Sequence, residues 1–220
     1  RSAIELMRWV EDIGFLPFFA GEIEGFSAEE HVAADAWWTG DRAQDPWEWR
    51  EEIASSHAGI TLGEDGATHQ TMEDVALMRV LPNMTVIVPC DAEETRKATL
   101  AIAEKNGPCF IRFGREAVPV VTDESTPFEI GKARLCREGS DVTVFANGAM
   151  VYEALQAADT LSEDGVSVRV FDLHTVKPLD ENAILAAAKE TGCIVTAEEH
   201  QMNGGMGGAV AEFLVKNCPV

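Results

Sequence analysis

Positive charge is scarce in this chain, paired cysteine is missing, and no apolar run is long. Only 17 Lys and Arg stand against 38 Asp and Glu, for a net charge of −21. A field of that sign repels nucleic acid and anionic membranes, so neither is expected as a partner, and an anionic substrate needs a local basic pocket. The five cysteines (Cys90, Cys109, Cys136, Cys193, Cys218) are odd in number, widely spaced and without a C-x-x-C pair. That argues against a disulfide framework and a zinc knuckle and fits a reducing cytoplasm. No apolar stretch approaches ~18 residues and no charged-then-apolar leader opens the chain, so neither a membrane span nor a signal peptide is expected. What is present is a globular composition: 220 residues, 46% hydrophobic, enough for one large domain or two small ones.

The texture changes along the chain. All five tryptophans lie in the first 49 residues, and the first lysine is Lys97. Residues 1–56 read as short helices. Ser2 with Glu5 and Ser27 with Glu30 form capping boxes, and Asp45, Pro46 and Glu48 start a third helix running to about Ile53. "GFLPFFAGEIEGF" between them is a loop broken by Pro17, Gly21 and Gly25. From residue 57 the pattern alternates between helix and strand. "THQTMEDVALMRVLP" predicts a helix, "MTVIVP" a buried strand, "DAEETRKATLAIAEK" a helix capped by Asp91 with Glu94 behind it, and "PCFIRF" a strand. After a polar linker at 121–127, a second unit follows: strand "DVTVFA", helix 149–163, strand "VSVRVFDL", helix 181–190, strand "CIVTAEE" and helix 207–216. The fold class is α/β, with parallel strands, right-handed crossovers and sites at the strand C-terminal ends. The expected domains are 1–56, of separate origin, 57–120, and 128–220 beyond the linker.

One stretch concentrates polarity on glycines: "HAGITLGEDGATHQ", residues 57–70. Gly63 and Gly66 let the backbone turn tightly and approach a ligand. Asp65 offers an acceptor for hydroxyls, and His57 and His69 can donate to a phosphate or hydroxyl near neutral pH. Arg112 and Arg115 follow a strand that ends beside the same crevice. Arg115 is the expected phosphate ligand, while Arg112 reads as a surface charge. His174 reads as a packing residue at a strand end, Glu198, Glu199 and His200 as side chains pointing different ways, and "GGMGG" as close helix–strand packing.

The stretch from His57 onward resembles the C-terminal part of a transketolase, particularly the two-subunit bacterial kind. The matching motifs are "HAGITLGEDGATHQTMEDVALMRVLPNMTVIVPCD", "GPCFIRFGREAVP", "FEIGKA", "HTVKPLD" and "TAEEH…GGMGG", in order over three quarters of the chain. The resemblance implies a partial pyrimidine-binding domain at 57–120 and a C-terminal domain, truncated, at 128–220. It implies that His57 and Arg115 grip a sugar phosphate, that Asp65 reads a hydroxyl, and that His69 sits beside the reacting carbons. It also implies thiamine diphosphate with Mg2+, although the family's GDG metal signature is missing. The activating glutamate belongs to the half replaced by residues 1–56, and Glu22, Glu24, Glu29 and Glu30 do not match its context. The expected function is therefore the C-terminal portion of a pentose-phosphate-type ketol transferase. It would be inactive alone; the intact family implies an oligomer with an N-terminal subunit carrying the diphosphate domain, which would restore the metal site but not that glutamate. Its strands at 85–89 and 109–113 would lack their family neighbours. The alternatives are a non-catalytic assembly or regulatory module, and a deoxyxylulose-phosphate synthase or 2-oxoacid dehydrogenase β-type subunit. Residues 1–56 resemble the start of winged-helix DNA-glycosylase-related proteins through "GFLPFFAGEIEGFSAEEH", "AWWTGD" and "DPWEWREEIA", and no catalytic residue carries over. The chain reads as a fragment and a chimera, joined near residue 56 by a fusion, a misassembly or a shifted reading frame.

Overall fold

β-Branched runs bounded by turn residues form the first strands, as the pattern demands. The computed structural model describes residues 52–218, and of Asp65 the backbone only. The three helices expected before residue 52 lie outside those residues, except at the end of the last one. Ile53, expected to end that helix, is in a strand, β1 (Glu52–Ser55). It pairs in parallel with β3 (Cys109–Arg112), Ile53 opposite Phe110. A ladder partner 57 residues away in sequence outweighs the local helix signal.

The first sheet has the order β1-β3-β2-β7, with β2 at Thr85–Ile87 and β7 at Thr175–Lys177. Strand β2 runs parallel to β3 and antiparallel to β7. The expectation that these two central strands lack neighbours is therefore corrected. Strand β3 is flanked by β1, and β2 by β7, which comes from the "HTVKPLD" motif of the second unit. Helix α1 (Asp74–Val80) is shorter than its periodicity predicts, because Thr71 is drawn into a two-way backbone pair with Gly59. Helix α2 (Ala92–Glu104) starts at the predicted cap: Asp91 accepts from the Glu94 amide at 2.9 Å.

The second sheet has the order β4-β6-β5-β8. Strands β5 (Val142–Ala146), β6 (Val168–Asp172) and β8 (Ile194–Ala197) are parallel, and β4 (Arg134–Arg137) is an antiparallel edge. Helices α3 (Met150–Glu163), α4 (Glu181–Glu190) and α5 (Met206–Asn217) fall where the periodicity put them. Gly207 confirms the packing role of the "GGMGG" run: a Cβ there would meet Thr196 Oγ1 of β8 at 2.6 Å.

One apolar cluster spans both sheets, joining Val75, Val86 and Phe110 to Phe145, Leu173, Ile184 and Met206. His174 packs as expected, fully buried and stacked on Phe128 with ring centroids 4.4 Å apart. The segment read as a polar linker is fastened: Asp91 accepts from the amides of Val121 and Thr122 and from the Thr122 hydroxyl. Among the described residues, no helix is long and apolar enough to cross a membrane.

Candidate functional site

The parallel ladder continues past β1 and β3. Phe113 donates to the Ser55 carbonyl at 3.0 Å, and Ala58 to the Phe113 carbonyl at 3.2 Å. These bonds set the loops carrying His57 and Arg115 side by side. The chain turns sharply at His57, which has φ +62° and its Nδ1 2.9 Å from Ser56 Oγ. Residues Gly63–Thr68 form a 3-10 segment, kinked at Gly66, where φ is +64° and ψ −164°. The positive φ at Gly63 and Gly66 is the backbone use the sequence predicts for both.

The loop is fastened from three sides. Gln70 Nε2 donates to the Ile60 carbonyl at 2.9 Å, which closes it on itself. Arg115 Nη1 donates to the Leu62 carbonyl at 3.0 Å, over 53 residues of sequence. Glu199 Oε1 accepts from the Thr61 amide at 3.1 Å and from the Thr61 hydroxyl. Leu62 itself is 1% exposed and anchors the loop in the core.

Beside this loop lies a cavity of about 310 Å³. Its walls are Ala58 and Thr61, the turn after β3 at Gly114 and Glu116, the start of α2, and Asn147 to Ala149 after β5. It therefore opens at the C-terminal ends of parallel strands, as the α/β pattern predicts. Ala58, Gly114 and Glu116 line it, whereas His57 and Arg115, their chain neighbours, are not among the lining residues. His69 is exposed on the 3-10 segment's end, its Nδ1 2.9 Å from Thr68 Oγ1, and is not among the lining residues. Asp65 lies within the same segment by its backbone.

Arg112 corrects the expectation of a surface charge. It is 3% exposed, with Nε 3.1 Å from Asp74 Oδ2 and Nη2 donating to the Glu199 carbonyl at 3.0 Å. A single strand's alternation put it outside, and the strand is covered on both faces. Burial pushes the Asp74 carboxyl above its ordinary value, against the pull of Arg112. The acids after β8 do point apart, as expected. Glu198 accepts from the amides of Met206 and Gly207 at the start of α5, while Glu199 reaches the loop. The role of Glu199 has no local signal, because its partner is 138 residues away.

A second polar cluster lies at the seam of the two sheets. Cys90, Glu94 and Asp172, all buried, hold their ligand atoms within 4.8 Å of one another. Arg134 Nη2 donates to Asp172 Oδ2 at 2.9 Å, and Glu94 Oε2 accepts from the Cys90 amide at 2.7 Å. Burial and then the neighbouring Glu94 push the Asp172 carboxyl up. Burial and then Asp172 push the Cys90 thiol far up, so it stays protonated and inert.

Three protein families match the chain. The pyrimidine binding domain of transketolase matches residues 33–121, the transketolase C-terminal domain matches 131–219, and an AlkZ-related family matches 1–60. A 6-deoxy-6-sulfo-D-fructose transketolase subunit of Clostridium sp. is 46% identical over 77% of this chain and 52% of its own length. An apulose-4-phosphate transketolase subunit of Phocaeicola vulgatus is 41% identical over 76% of this chain and 54% of its own. A solved structure described as a split gene transketolase, inactive beta4 tetramer, is 47% identical with a TM-score of 0.71, covering 77% of this chain and 54% of that one. The chain spans about half the length of these relatives.

Proposed function

The chain belongs to the transketolase family, and from that premise we propose that it is the C-terminal portion of a thiamine-diphosphate-dependent ketol transferase acting on sugar phosphates. Its pyrimidine-type unit ends at residue 120 and its C-terminal unit begins at 128, with 121–127 between them. It works with an N-terminal subunit that carries the diphosphate domain, in an oligomer, and its free cysteines suit the cytoplasm.

The observation that carries this reading is the closure of the 57–70 loop against Arg115 beside a cavity at the strand ends. His57 and Arg115 grip the anionic end of the sugar, Asp65 accepts from a hydroxyl, and His69 stands toward the reacting carbons. Arginine suits that task because its planar fork meets a phosphate with two bonds. Thiamine diphosphate supplies a stabilised carbanion when bound. The described residues do not fit its magnesium-held diphosphate. Their one three-ligand group combines a protonated thiol with two acids already facing Arg134, whereas magnesium takes oxygen ligands. That site belongs to the partner.

The test is a coupled assay with thiamine diphosphate, magnesium, a ketose phosphate and an aldose phosphate, beside a binding titration of the chain with D-fructose 6-phosphate. The chain alone is expected to bind the sugar phosphate and to give no turnover. Arg115→Ala should weaken binding by ~2 kcal/mol, the scale of a charge-assisted hydrogen bond. Turnover by the chain alone, or binding indifferent to Arg115, would overturn the assignment.

A further inference from the structure

We propose that Glu199 is the positioning residue through which the C-terminal unit holds the sugar-recognition loop in its working shape. The inference rests on the reading of the 57–70 loop given above.

Glu199 leaves the end of β8 and crosses to the other unit. Its Oε1 accepts both donors of Thr61, the amide at 3.1 Å and the hydroxyl. Thr61 directly precedes Leu62, whose carbonyl Arg115 holds. The loop is thus pinned at two successive residues, by the C-terminal unit at Thr61 and by the turn after β3 at Leu62. The backbone at Gly59 is shaped to the same carboxylate. It has φ +88°, and a Cβ there would lie 2.7 Å from Glu199 Oε2 and 3.0 Å from its Cβ. Only glycine lets the acid approach that closely.

The neighbours of Glu199 fix its own position. Arg112, buried and paired with Asp74, donates to the Glu199 carbonyl at 3.0 Å. The next residue, His200, accepts from the Ala76 amide at 3.3 Å, and the Gln201 amide donates to the Met72 carbonyl at 3.0 Å. Arg79 of α1 donates to the carbonyls of Gly204 and Gly205. The segment 199–205 is therefore a strap laid over α1 and tied at both ends, and Glu199 is the point where it touches the loop. Glu198, next to it, is committed to the start of α5 and cannot replace it.

The test uses the full chain with Glu199→Ala and Glu199→Gln. The alanine removes the acceptor, while the glutamine keeps an oxygen for both Thr61 donors. Amide exchange at Thr61 should speed up by about tenfold or more in Glu199→Ala, the scale of a lost hydrogen bond to a charged group, and stay near the parent in Glu199→Gln. D-fructose 6-phosphate affinity should fall by about tenfold in the alanine variant and be rescued in the glutamine one. Unchanged exchange at Thr61, or faster exchange with unchanged affinity, would overturn the proposal. Failure of the parent chain to bind the sugar phosphate would sink the reading of the loop as a sugar site and, with it, Glu199's role there, while Thr61 exchange would still report the contact itself. Should Glu199→Ala not fold, Thr61→Val carries the test. It removes the hydroxyl half of the same contact at an exposed position and should weaken binding in the same direction.

Discussion

Arg112 is buried and Arg134 half-buried; both face aspartates and end in different company. Arg112 has one acid, Asp74, and spends its other end on a carbonyl of the strap. Arg134 faces two, with Asp172 fully buried and Glu94 nearly so, and the Cys90 thiol beside them. The first pair holds a loop at the candidate site. The second sits where the two sheets meet, and there acids outnumber cations. Burial and then Glu94 push the Asp172 carboxyl up, against the pull of Arg134.

The largest effect that tests this contrast is Arg134→Met. It leaves two buried acids without their cation and should cost about 3–5 kcal/mol in urea unfolding. Arg112→Met should cost less, about 2 kcal/mol, because it strands a single acid, Asp74, rather than two. Equal losses would erase the distinction.

A smaller effect concerns His174, at the same seam. Burial lowers its imidazole below the ordinary value of 6.5. Below that pH the unfolded ring takes up a proton that the folded ring refuses, so stability falls as pH drops from 6.5 toward the folded value. The slope is at most about 1.4 kcal/mol per pH unit inside the window. Asp172 has the opposite sign. Its folded carboxyl keeps a proton that the unfolded one loses above 3.8, so its contribution weakens as pH rises through the carboxylate range. His174→Phe keeps the stack on Phe128 and removes the titration, so its unfolding free energy should be flatter between pH 7 and 5.5 than the parent's. An unchanged slope would show that His174 does not carry the low-pH sensitivity.

Sequence patterns carried the local part of this fold. Asp91 caps α2, helices α3 to α5 start within a residue of their predicted positions, and the transketolase motifs lead to one loop and one cavity. What escaped was non-local. Ile53 has a helical neighbourhood in sequence and a strand partner in space. Strand β4 is written as Arg-Leu-Cys-Arg, whose charges hide an edge strand. Strand β7 looks like the tail of a motif and becomes the edge of a different sheet. Arg112 and Glu199 carry no local mark of burial or reach, because the groups they meet lie 38 and 138 residues away.

That crossing of β7 has a consequence for how the chain is made. As residues emerge from a ribosome in order, β1, β2 and β3 are out long before Thr175–Lys177. At common elongation rates the open side of β2 waits on the order of ten seconds for its partner. During that interval the first sheet offers a bare edge to any other nascent strand. A chaperone that shields Thr85–Ile87 until synthesis passes Lys177 would protect the yield, and a stop anywhere before Thr175 would leave the edge permanently exposed.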